Sequence, residues 1–343
     1  MREGLLEILR CVSCKNTGLR AEVLNRDENE IRKAKILCDS CGAVYSVNDG
    51  IADFLINRPP EIENEQRAVE REEYLRDDKG NSYPVNRDSI ERFKAQFLLL
   101  PEGDGSIYFR RGGCFQSIAE GSHRFYDTMT RMALKGGEMI LCLGDGFSYG
   151  SYKFAQRGCN AVALDISNYL MASDIYVRKA YFERVFSDMH EMPFRDNAFD
   201  IVFCSAALHH SKRLKAAFQE IGRVLKQGGK LFVINESSRG SLEKVNPSFK
   251  DLEERGYSDT SYTLSEWVRA AVGSGFRQAR LEMLSLADDY IVRQENKNAG
   301  LSNFLRIAYF LRDHRGIEKF LLSLLKYPRI LSRPKSWRMV CSK

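Results

Sequence analysis

The feature that most constrains the fold is a regular alternation of short apolar segments and helical segments that starts at Glu138. The apolar run Met139–Leu143 predicts a buried strand, and the loop sequence GDGFSYG then leads into a helical segment over 151–157. Further apolar runs end at Asp165 and span Ile201–Cys204. Strands that alternate with helices in this way predict an open α/β sheet.

Glycines at the first strand-to-helix turn indicate a nucleotide-type pocket. Gly144 and Gly146 let the backbone approach a ligand, and the following helix offers free amides at its N-terminus. Asp165 ends the second strand about 20 residues further on, where an acid accepts hydrogen bonds from ribose hydroxyls. The glycines are also compatible with a simple tight turn, and Asp165 with a helix N-cap.

Two cysteine pairs near the start of the chain indicate a metal site. Cys11-x2-Cys14 and Cys38-x2-Cys41 are separated by 23 residues, and each pair can form a knuckle whose thiolates bind one tetrahedral Zn(II). Four thiolates fill the coordination sphere, which predicts a structural zinc, and a redox-active dithiol is the alternative. The other cysteines have apolar neighbours and are expected in the core: Cys114, Cys142, Cys159, Cys204 and Cys341.

The same region resembles the small zinc ribbon known as Trm112-like. The resemblance rests on the two cysteine pairs and on the sequence YSVNDGIADFL after the second pair, and it covers residues 1–56. It implies a small β-rich ribbon at the start of the chain. In that family the ribbon is either a separate activating partner of methyltransferases or is fused in front of one.

Residues 57–121 predict a helical linker and lid. A Pro-Pro pair at 59–60 breaks the chain after the ribbon. The segment 61–78 is so dense in charge that we expect a solvated helix rather than a core element. The segment 88–100 has apolar residues at helical spacing, which predicts a second helix.

Residues 122–286 resemble the class I S-adenosylmethionine-dependent methyltransferases, in particular the group that includes ubiquinone-biosynthesis C-methyltransferases. The motifs MPFRDNAFDIVFCSAALHH and EIGRVLKQGGKLFVINES carry the resemblance. It implies a Rossmann-like α/β domain over 122–343, with a seven-stranded sheet and helices on both faces. The final strand of that family is antiparallel, and Trp337–Lys343 is its candidate here. Residues from about 288 to 335 would then be a basic helical insertion.

The resemblance also implies S-adenosylmethionine as the cofactor. Gly144 and Gly146 would face its methionine moiety, Asp165 its ribose, and Asp188 the exocyclic amine of its adenine. Met189 would cover the adenine ring. The whole expected set of cofactor-binding residues is Gly144, Asp145, Gly146, Asp165, Ile166, Asp188, Met189 and Ala206.

The chain departs from the family pattern at two positions in this loop. Cys142 stands where the family usually has an acid, and Ser148 stands where it often has a third glycine. Asp145 is close by and offers an alternative charge. If the departures mark a decayed site, the protein would instead be a non-catalytic scaffold with a cofactor fold.

Candidate catalytic residues follow the fourth and fifth strands. Methyl transfer is an in-line displacement, so the protein mainly positions the acceptor and, for a weakly acidic acceptor, removes its proton. His210 and His209 lie at the carboxyl edge expected for ligands, and Glu236 ends the fifth strand. Each is also compatible with a structural hydrogen bond or a turn position. We expect His190 to be a loop histidine.

The favoured methyl acceptor is a hydroxyl group of a carbohydrate, a glycolipid or another small metabolite. The tract over 235–276 resembles the region that shapes the acceptor pocket in methyltransferases of sugars and other small metabolites. Tyr257, Tyr262 and Trp267 would supply aromatic walls, although the helical spacing of Trp267 also fits a core position.

The basic C-terminal end leaves other partners open. The net charge is only +6, but Leu301–Lys343 carries ten Lys or Arg against two acids. Together with a zinc ribbon, this segment is compatible with a methyltransferase of rRNA or tRNA bases. Its long apolar faces are equally compatible with a core-packing helix pair or with an interfacial helix on an anionic membrane surface.

Composition excludes several other classes. With 43% hydrophobic and 29% charged residues, the chain is neither a disordered polymer nor a membrane channel. No apolar run approaches the roughly 20 residues of a bilayer span. The first residues, MREGLLEILRCVSCK, do not form a signal peptide, so we expect a cytoplasmic protein with reduced thiols.

Overall fold

The structure is a computed structural model that describes residues 1–56, 58–72, 74–110, 112–240, 254, 256–285, 287–288, 290–291, 294, 302–314, 316–318, 321 and 337–343. Most of the expected basic insertion over 288–335 lies outside these residues. Within the described ranges, no helix has both the length and the apolar character that a bilayer span needs.

A mixed sheet of eleven strands dominates the molecule, and two short two-stranded sheets accompany it. The strands in chain order are β1 (Leu19–Arg26), β2 (Ile31–Cys38), β3 (Val44–Asn48), β4 (Ile51–Asp53), β5 (Leu75–Arg76), β6 (Ser82–Tyr83), β7 (Met139–Leu143), β8 (Asn160–Asp165), β9 (Glu183–Phe186), β10 (Phe199–Ser205), β11 (Leu225–Ile234), β12 (Ser238–Arg239), β13 (Tyr262–Thr263), β14 (Gln278–Met283) and β15 (Trp337–Ser342).

Helices cover both faces of this sheet. Those in the described residues are α1 (Pro60–Arg71), α2 (Arg87–Arg92), α3 (Lys94–Leu98), α4 (Cys114–Glu120), α5 (Ser122–Met132), α6 (Tyr149–Ala155), α7 (Asp174–Val177), α8 (Leu214–Val224), α9 (Leu264–Val272) and α10 (Asn303–Asp313). Short 3-10 helices form at Glu3–Ile8, Ile107–Phe109, Asn168–Ser173 and Leu208–His210.

Seven strands form the predicted Rossmann-like core in the order β9-β8-β7-β10-β11-β15-β14. The strands from β9 to β11 are parallel, and β15 runs antiparallel between β11 and β14. The prediction of an open α/β sheet with an antiparallel final strand is therefore confirmed.

The central strands are buried on both faces, as their unbroken apolar runs require. In β7, Leu141 and Leu143 pack into one hydrophobic cluster, whereas Ile140 and Cys142 pack into another. The first cluster also contains the inner faces of α8 and α9, and the second contains those of α5, α6 and α7. Alternate residues of one strand thus hold the two helical layers together.

The four N-terminal strands continue the same sheet instead of forming a separate one. Strands β1 to β4 form an antiparallel meander, and β4 then pairs in parallel with β9, with Ala52 opposite Val185 and Asp53 opposite Phe186. Apolar residues of the meander lie in the same hydrophobic cluster as the core strands. The sequence predicted both parts but carried no sign that they join edge to edge.

A buried ion-pair network reinforces this junction. Arg184 of β9 is fully buried and contacts Glu30, and its Nη1 lies 2.9 Å from Asp174 Oδ1. Arg32 of β2 binds the same two acids, at 2.7 Å to Glu30 and 3.0 Å to Asp174. Burial would raise the pKa of Glu30, but the charge of Arg184 outweighs it and lowers that pKa to about 2.

Helix α1 corrects the expectation of a solvated helix over 61–78. It is amphipathic, and it buries Ile62, Glu65 and Ala68 against the body of the protein. The segment does contain many charged residues, but most of their side chains lie on the solvent-facing side of the helix. The second predicted helix, over 88–100, forms as α2 and α3, with a break at Phe93.

Candidate active site

A cavity of about 740 Å³ opens at the carboxyl ends of β7, β8, β10 and β11. This is the edge at which open α/β sheets bind ligands. Helix α1 and the loop over 257–261 close the cavity from the side. Every expected cofactor-binding residue lines it: Gly144, Asp145, Gly146, Asp165, Ile166, Asp188, Met189 and Ala206.

The loop after β7 has the conformation that its glycines allow. Gly144 has a φ of +65°, and a Cβ there would lie 2.2 Å from the Cβ of Ala207. Gly146 has a φ of +46°, and a Cβ added there would meet no atom within 4 Å, so its backbone faces open space in the cavity. Ser148 takes a left-handed φ of +63° in place of the expected third glycine. The departure at Ser148 therefore leaves the left-handed turn intact.

Asp165 is fixed at the end of β8 by three hydrogen bonds. Its Oδ2 accepts from the Gly146 amide at 2.8 Å, and its Oδ1 accepts from the amide and hydroxyl of Ser167 at 2.8 and 2.7 Å. Burial raises the pKa of Asp165, and these hydrogen bonds oppose the rise. A carboxylate has about four lone-pair positions, so Asp165 keeps capacity to accept from a ligand.

Asp145 turns its side chain toward the start of α6. Its Oδ2 accepts from the Ser151 amide at 3.0 Å, and burial raises its pKa to about 7. Cys142, at the position where the family usually has an acid, is 1% exposed. Asp145 thus brings a carboxyl group close to the position that lacks one.

Asp188 and His190 form a pair at the end of β9. Asp188 Oδ1 accepts from the His190 amide at 2.9 Å and lies 2.6 Å from the Nδ1 atom of the same ring. The His190 Nε2 atom lies 2.7 Å from the Ser211 hydroxyl. Burial would raise the pKa of Asp188, but the hydrogen bond from His190 outweighs it and lowers that pKa. His190 therefore orients Asp188 toward the cavity.

Glu236 lies behind the catalytic candidates, outside the cavity lining. It is fully buried, and Oε1 accepts from the amides of Ala207 and Leu208 at 3.0 and 2.9 Å. Its Oε2 accepts from the His209 amide at 3.1 Å and lies 2.7 Å from His209 Nδ1. Glu236 thus holds the turn Leu208–His210 and orients the His209 ring.

His209 and His210 face two acids that sequence reasoning missed, Glu65 of α1 and Asp259. His209 Nε2 lies 3.3 Å from Asp259 Oδ1. His210 Nδ1 lies 3.0 Å from Glu65 Oε1 and 3.9 Å from Asp259 Oδ2. We call these four side chains the His-acid cluster. The sequence contained one sign that Glu65 is buried. It lies three residues after Ile62, which places both side chains on the same face of α1.

The charges within the His-acid cluster shift one another. Burial, together with the nearby Asp259 and Asp165, raises the pKa of Glu65 to about 8. Burial would lower the pKa of His209, but Glu236 and Asp259 outweigh it and raise that pKa to about 10. Burial and the neighbouring His209 lower the pKa of His210 to about 4.

The three aromatic candidates for the acceptor pocket occupy different places. Tyr257 lines the cavity and donates its hydroxyl hydrogen bond to Glu72. Tyr262 donates to the Ser211 carbonyl at 2.6 Å and lies beside the cavity. Trp267 is fully buried in the core, with its ring 5.6 Å from that of Trp337. Only Tyr257 of the three is placed to touch an acceptor.

The four paired cysteines converge next to the N-terminal meander. Their Sγ atoms all lie within 4.8 Å of one another, with Cys11 to Cys41 at 3.6 Å and Cys14 to Cys38 at 3.5 Å. Four sulfurs at about 2.3 Å from a tetrahedral Zn(II) would be separated by roughly this distance. The donor set therefore fits a zinc ion.

Both cysteine pairs are held in the same kind of turn. The Lys15 amide donates to the Cys11 carbonyl and the Gly42 amide to the Cys38 carbonyl, both at 2.9 Å, with left-handed φ angles of +63° and +72°. Burial would raise the pKa of Cys11, but hydrogen bonds from Tyr45 and backbone amides outweigh it and lower that pKa to about 6. A thiolate is favoured at Cys11, as a metal ligand requires.

Comparison with known proteins identifies the central part of the chain. Residues 141–233 match the family model described as a methyltransferase domain. Residues 141–233 are therefore a methyltransferase domain. This methyltransferase domain contains the glycine loop, Asp165, Asp188 and the histidine pair.

A curated relative supports this assignment. The demethylmenaquinone methyltransferase of Corynebacterium glutamicum is 33% identical over 111 residues, which are 32% of this chain and 47% of that protein. The chain thus spans about half the length of the curated relatives it matches.

Two solved structures share the fold of the methyltransferase domain and its surroundings. One is the phosphoethanolamine N-methyltransferase 2 of Haemonchus contortus with phosphomonomethylethanolamine and S-adenosylhomocysteine, at 21% identity and a TM-score of 0.50, covering 74% of this chain and 56% of that one. The other is a geranyl diphosphate methyltransferase with geranyl diphosphate and sinefungin, at 14% identity and a TM-score of 0.52, covering 83% and 98%.

Proposed function

We propose that this protein transfers a methyl group from S-adenosylmethionine to a hydroxyl group of a small acceptor. The observation that carries the proposal is the cavity in which the glycine loop, Asp165 and Asp188 meet inside a matched methyltransferase domain. The solved neighbours support a small acceptor, because the compounds named with them are phosphomonomethylethanolamine and geranyl diphosphate.

The cofactor would lie along the carboxyl ends of β7, β8 and β9. The open backbone at Gly146 leaves room for the methionine moiety, and the remaining acceptor position of Asp165 suits a ribose hydroxyl. Asp188, oriented by His190, would accept from the adenine amine, with Met189 beside the ring. Because Ser148 preserves the left-handed turn, we favour a functional pocket over the decayed scaffold.

The acceptor would occupy the side of the cavity closed by α1 and the loop over 257–261. Among the charged side chains of the described lining, Asp and Glu are in the majority, and the basic ones include Arg124 but no lysine. Carboxylates accept hydrogen bonds from hydroxyl groups, so the lining favours a carbohydrate or another hydroxyl-rich metabolite. It disfavours RNA, because phosphate groups are bound by Lys and Arg.

The chain's own residues would position the acceptor and take up its proton. Methyl transfer needs the acceptor oxygen, the methyl carbon and the sulfur in line, with the reacting atoms about 3–3.5 Å apart. His210 faces the cavity from the His-acid cluster, whereas His209 and Glu236 hold the turn that carries it. We assign proton removal to this cluster and a positioning role to Glu236.

Two measurements test the proposal. Calorimetric titration of purified, nucleic-acid-free protein with S-adenosylmethionine and S-adenosylhomocysteine should give micromolar binding. Transfer of labelled methyl groups should then be assayed in parallel with carbohydrate and RNA acceptor libraries. Label in carbohydrate supports the hydroxyl proposal, and label only in RNA contradicts it. Absence of cofactor binding at high ligand concentration would favour the scaffold.

We further propose that the four paired cysteines bind one structural Zn(II) in a fused Trm112-like ribbon. The support is the fit of their sulfur separations to tetrahedral geometry and the matched turns at Lys15 and Gly42. Because four thiolates leave no open coordination position, this zinc would stabilise the ribbon and take no part in methyl transfer.

A further inference from the structure

The His-acid cluster has the geometry of a second metal site, distinct from the four cysteines. His209, His210 and Asp259 each point one ligand atom inward, and these atoms all lie within 4.8 Å of one another. Glu65 adds a carboxylate at 3.0 Å from His210 Nδ1. We propose that this cluster binds a divalent first-row cation that holds the oxygen of the methyl acceptor.

The separations within the cluster agree with a shared cation. Two ligands that are each about 2.1 Å from a metal lie roughly 3.0–3.4 Å apart in octahedral or tetrahedral geometry. The observed nitrogen-to-oxygen separations are 3.0 Å for His210 and Glu65 and 3.3 Å for His209 and Asp259. The third separation, between His210 Nδ1 and Asp259 Oδ2, is 3.9 Å. Only a small movement of these two side chains would let both atoms bind the same cation.

The His209 ring has the hydrogen-bonding arrangement that is usual for metal-binding histidines. Glu236 lies 2.7 Å from its Nδ1 atom, and a carboxylate on one ring nitrogen fixes the proton there. The Nε2 atom faces the cluster, and a cation that binds there displaces the second proton of the ring. Since Glu236 is fully buried and tied to three backbone amides, it cannot turn away.

His210 supplies an independent observation. Its Nδ1 atom is buried and has no hydrogen-bond partner, although Glu65 Oε1 is only 3.0 Å away. The two groups are therefore close without the alignment that a hydrogen bond needs. A buried polar atom without a partner costs free energy, and a cation between the imidazole and the carboxylate would satisfy both.

The chemistry of the donors defines the class of cation. Two imidazoles and two carboxylates suit Mn²⁺, Fe²⁺ or Zn²⁺, whereas the thiolates of the ribbon select zinc. All four side chains line the same cavity as Asp165 and the glycine loop. A cation there would keep open positions toward the cavity for an acceptor oxygen. That role rests on the proposed function, but the binding of the cation does not.

The test is a titration of the full-length, zinc-loaded protein with MnCl₂, in which the electron paramagnetic resonance signal reports free Mn²⁺. The wild-type protein should bind one Mn²⁺ per chain with micromolar affinity. Asp259→Asn and His210→Ala should each weaken this binding at least tenfold. Glu120→Gln is the matched control, because it removes a charge from the same cavity outside the cluster, and it should leave Mn²⁺ affinity unchanged.

Binding of S-adenosylhomocysteine, measured by calorimetry on the same variants, shows that each is folded. Loss of Mn²⁺ binding in the cluster variants alone, with S-adenosylhomocysteine binding retained, supports the site. Absence of Mn²⁺ binding to the wild-type protein at millimolar concentration overturns it, and so does an equal loss in Glu120→Gln. Failure of the wild-type protein to bind cofactor while it still binds Mn²⁺ would overturn the proposed function and leave the metal site standing.

Discussion

Asp165 is held in place by hydrogen bonds from Gly146 and Ser167 of the protein itself. A carboxylate held in this way loses little side-chain freedom when a ligand binds, so its hydrogen bonds to a ribose are formed at low entropic cost. The same three bonds also tie the loop after β7 to the end of β8. Asp165 therefore shapes the pocket, and under the proposed function it would accept a hydrogen bond from the cofactor ribose.

Asp165→Ala should weaken S-adenosylmethionine binding by about 1–3 kcal/mol, because the ribose hydroxyls lose their acceptor. Calorimetric titration measures this directly. Glu120→Gln, which removes another charge from the cavity lining, is the control for a general loss of charge. Wild-type affinity in Asp165→Ala would mean that Asp165 does not bind the ribose.

Gly144→Ala should reduce both stability and cofactor binding. The new Cβ would lie 2.2 Å from that of Ala207 at a φ of +65°. The left-handed backbone costs about 1–2 kcal/mol and the overpacking about 1–3 kcal/mol. Gly137→Ala is a matched control, because its φ is +88° but nothing lies within 4 Å of the added atom. Urea unfolding should separate the two variants, and equal losses would contradict the role of the Ala207 contact.

At the scale of elements, the meeting of the expected cofactor residues at one cavity was predictable, because these residues follow consecutive strands. Asp165 and Asp188 are set by the ends of β8 and β9, and strand ends can be located from apolar runs. The acceptor side was not predictable, because Glu65 and Asp259 come from segments far apart in the sequence. Only the packing of α1 against the sheet brings Glu65 to His210.

The proposed zinc makes a prediction about the element formed by the two cysteine turns, because its stability would depend on the bound metal. Cys38→Ala should release zinc and lower the unfolding temperature, since three thiolates bind zinc less tightly than four. Zinc content by atomic absorption and thermal unfolding measure the effect. Cys159→Ala, at a buried cysteine outside the cluster, should keep its zinc. Unchanged zinc content in Cys38→Ala would refute the proposed ribbon site.

At the scale of the whole molecule, the N-terminal meander and the methyltransferase domain share one sheet and one buried ion-pair network. Glu30, Arg32, Asp174 and Arg184 link strands β2 and β9 with α7. Because Arg184 is fully buried, its charge must remain paired for the junction to be stable. We therefore expect the two parts to unfold together.

Glu30→Gln should destabilise the protein by about 3–5 kcal/mol at pH 7, because it removes one partner of a buried ion pair. Urea unfolding measures the loss. Glu22→Gln, which removes the partner of exposed Arg20, should cost less than about 1 kcal/mol. Similar losses in the two variants would contradict the importance of the junction.

The same pair predicts a pH dependence. The pKa of Glu30 is about 2 in the folded protein, below its ordinary value of 4.5. A depressed pKa stabilises the folded state above the ordinary value, and this contribution is lost as the pH falls through the folded pKa. The stability difference between wild type and Glu30→Gln should therefore shrink from pH 4.5 toward pH 2. A difference that stays constant over this range would show that folding does not lower the pKa of Glu30.

The pairing of β4 with β9 also determines which backbone groups of the sheet meet solvent. A methyltransferase sheet that ended at β9 would offer another chain a row of free amides and carbonyls beside an apolar strand. In this protein the edge strand on that side is β1 instead. Arg20 and Glu22 of β1 are exposed, and six of the eight residues of this strand face solvent. Charged side chains on a border strand discourage pairing between molecules. The N-terminal meander therefore protects the protein against aggregation by pairing between edge strands of different molecules.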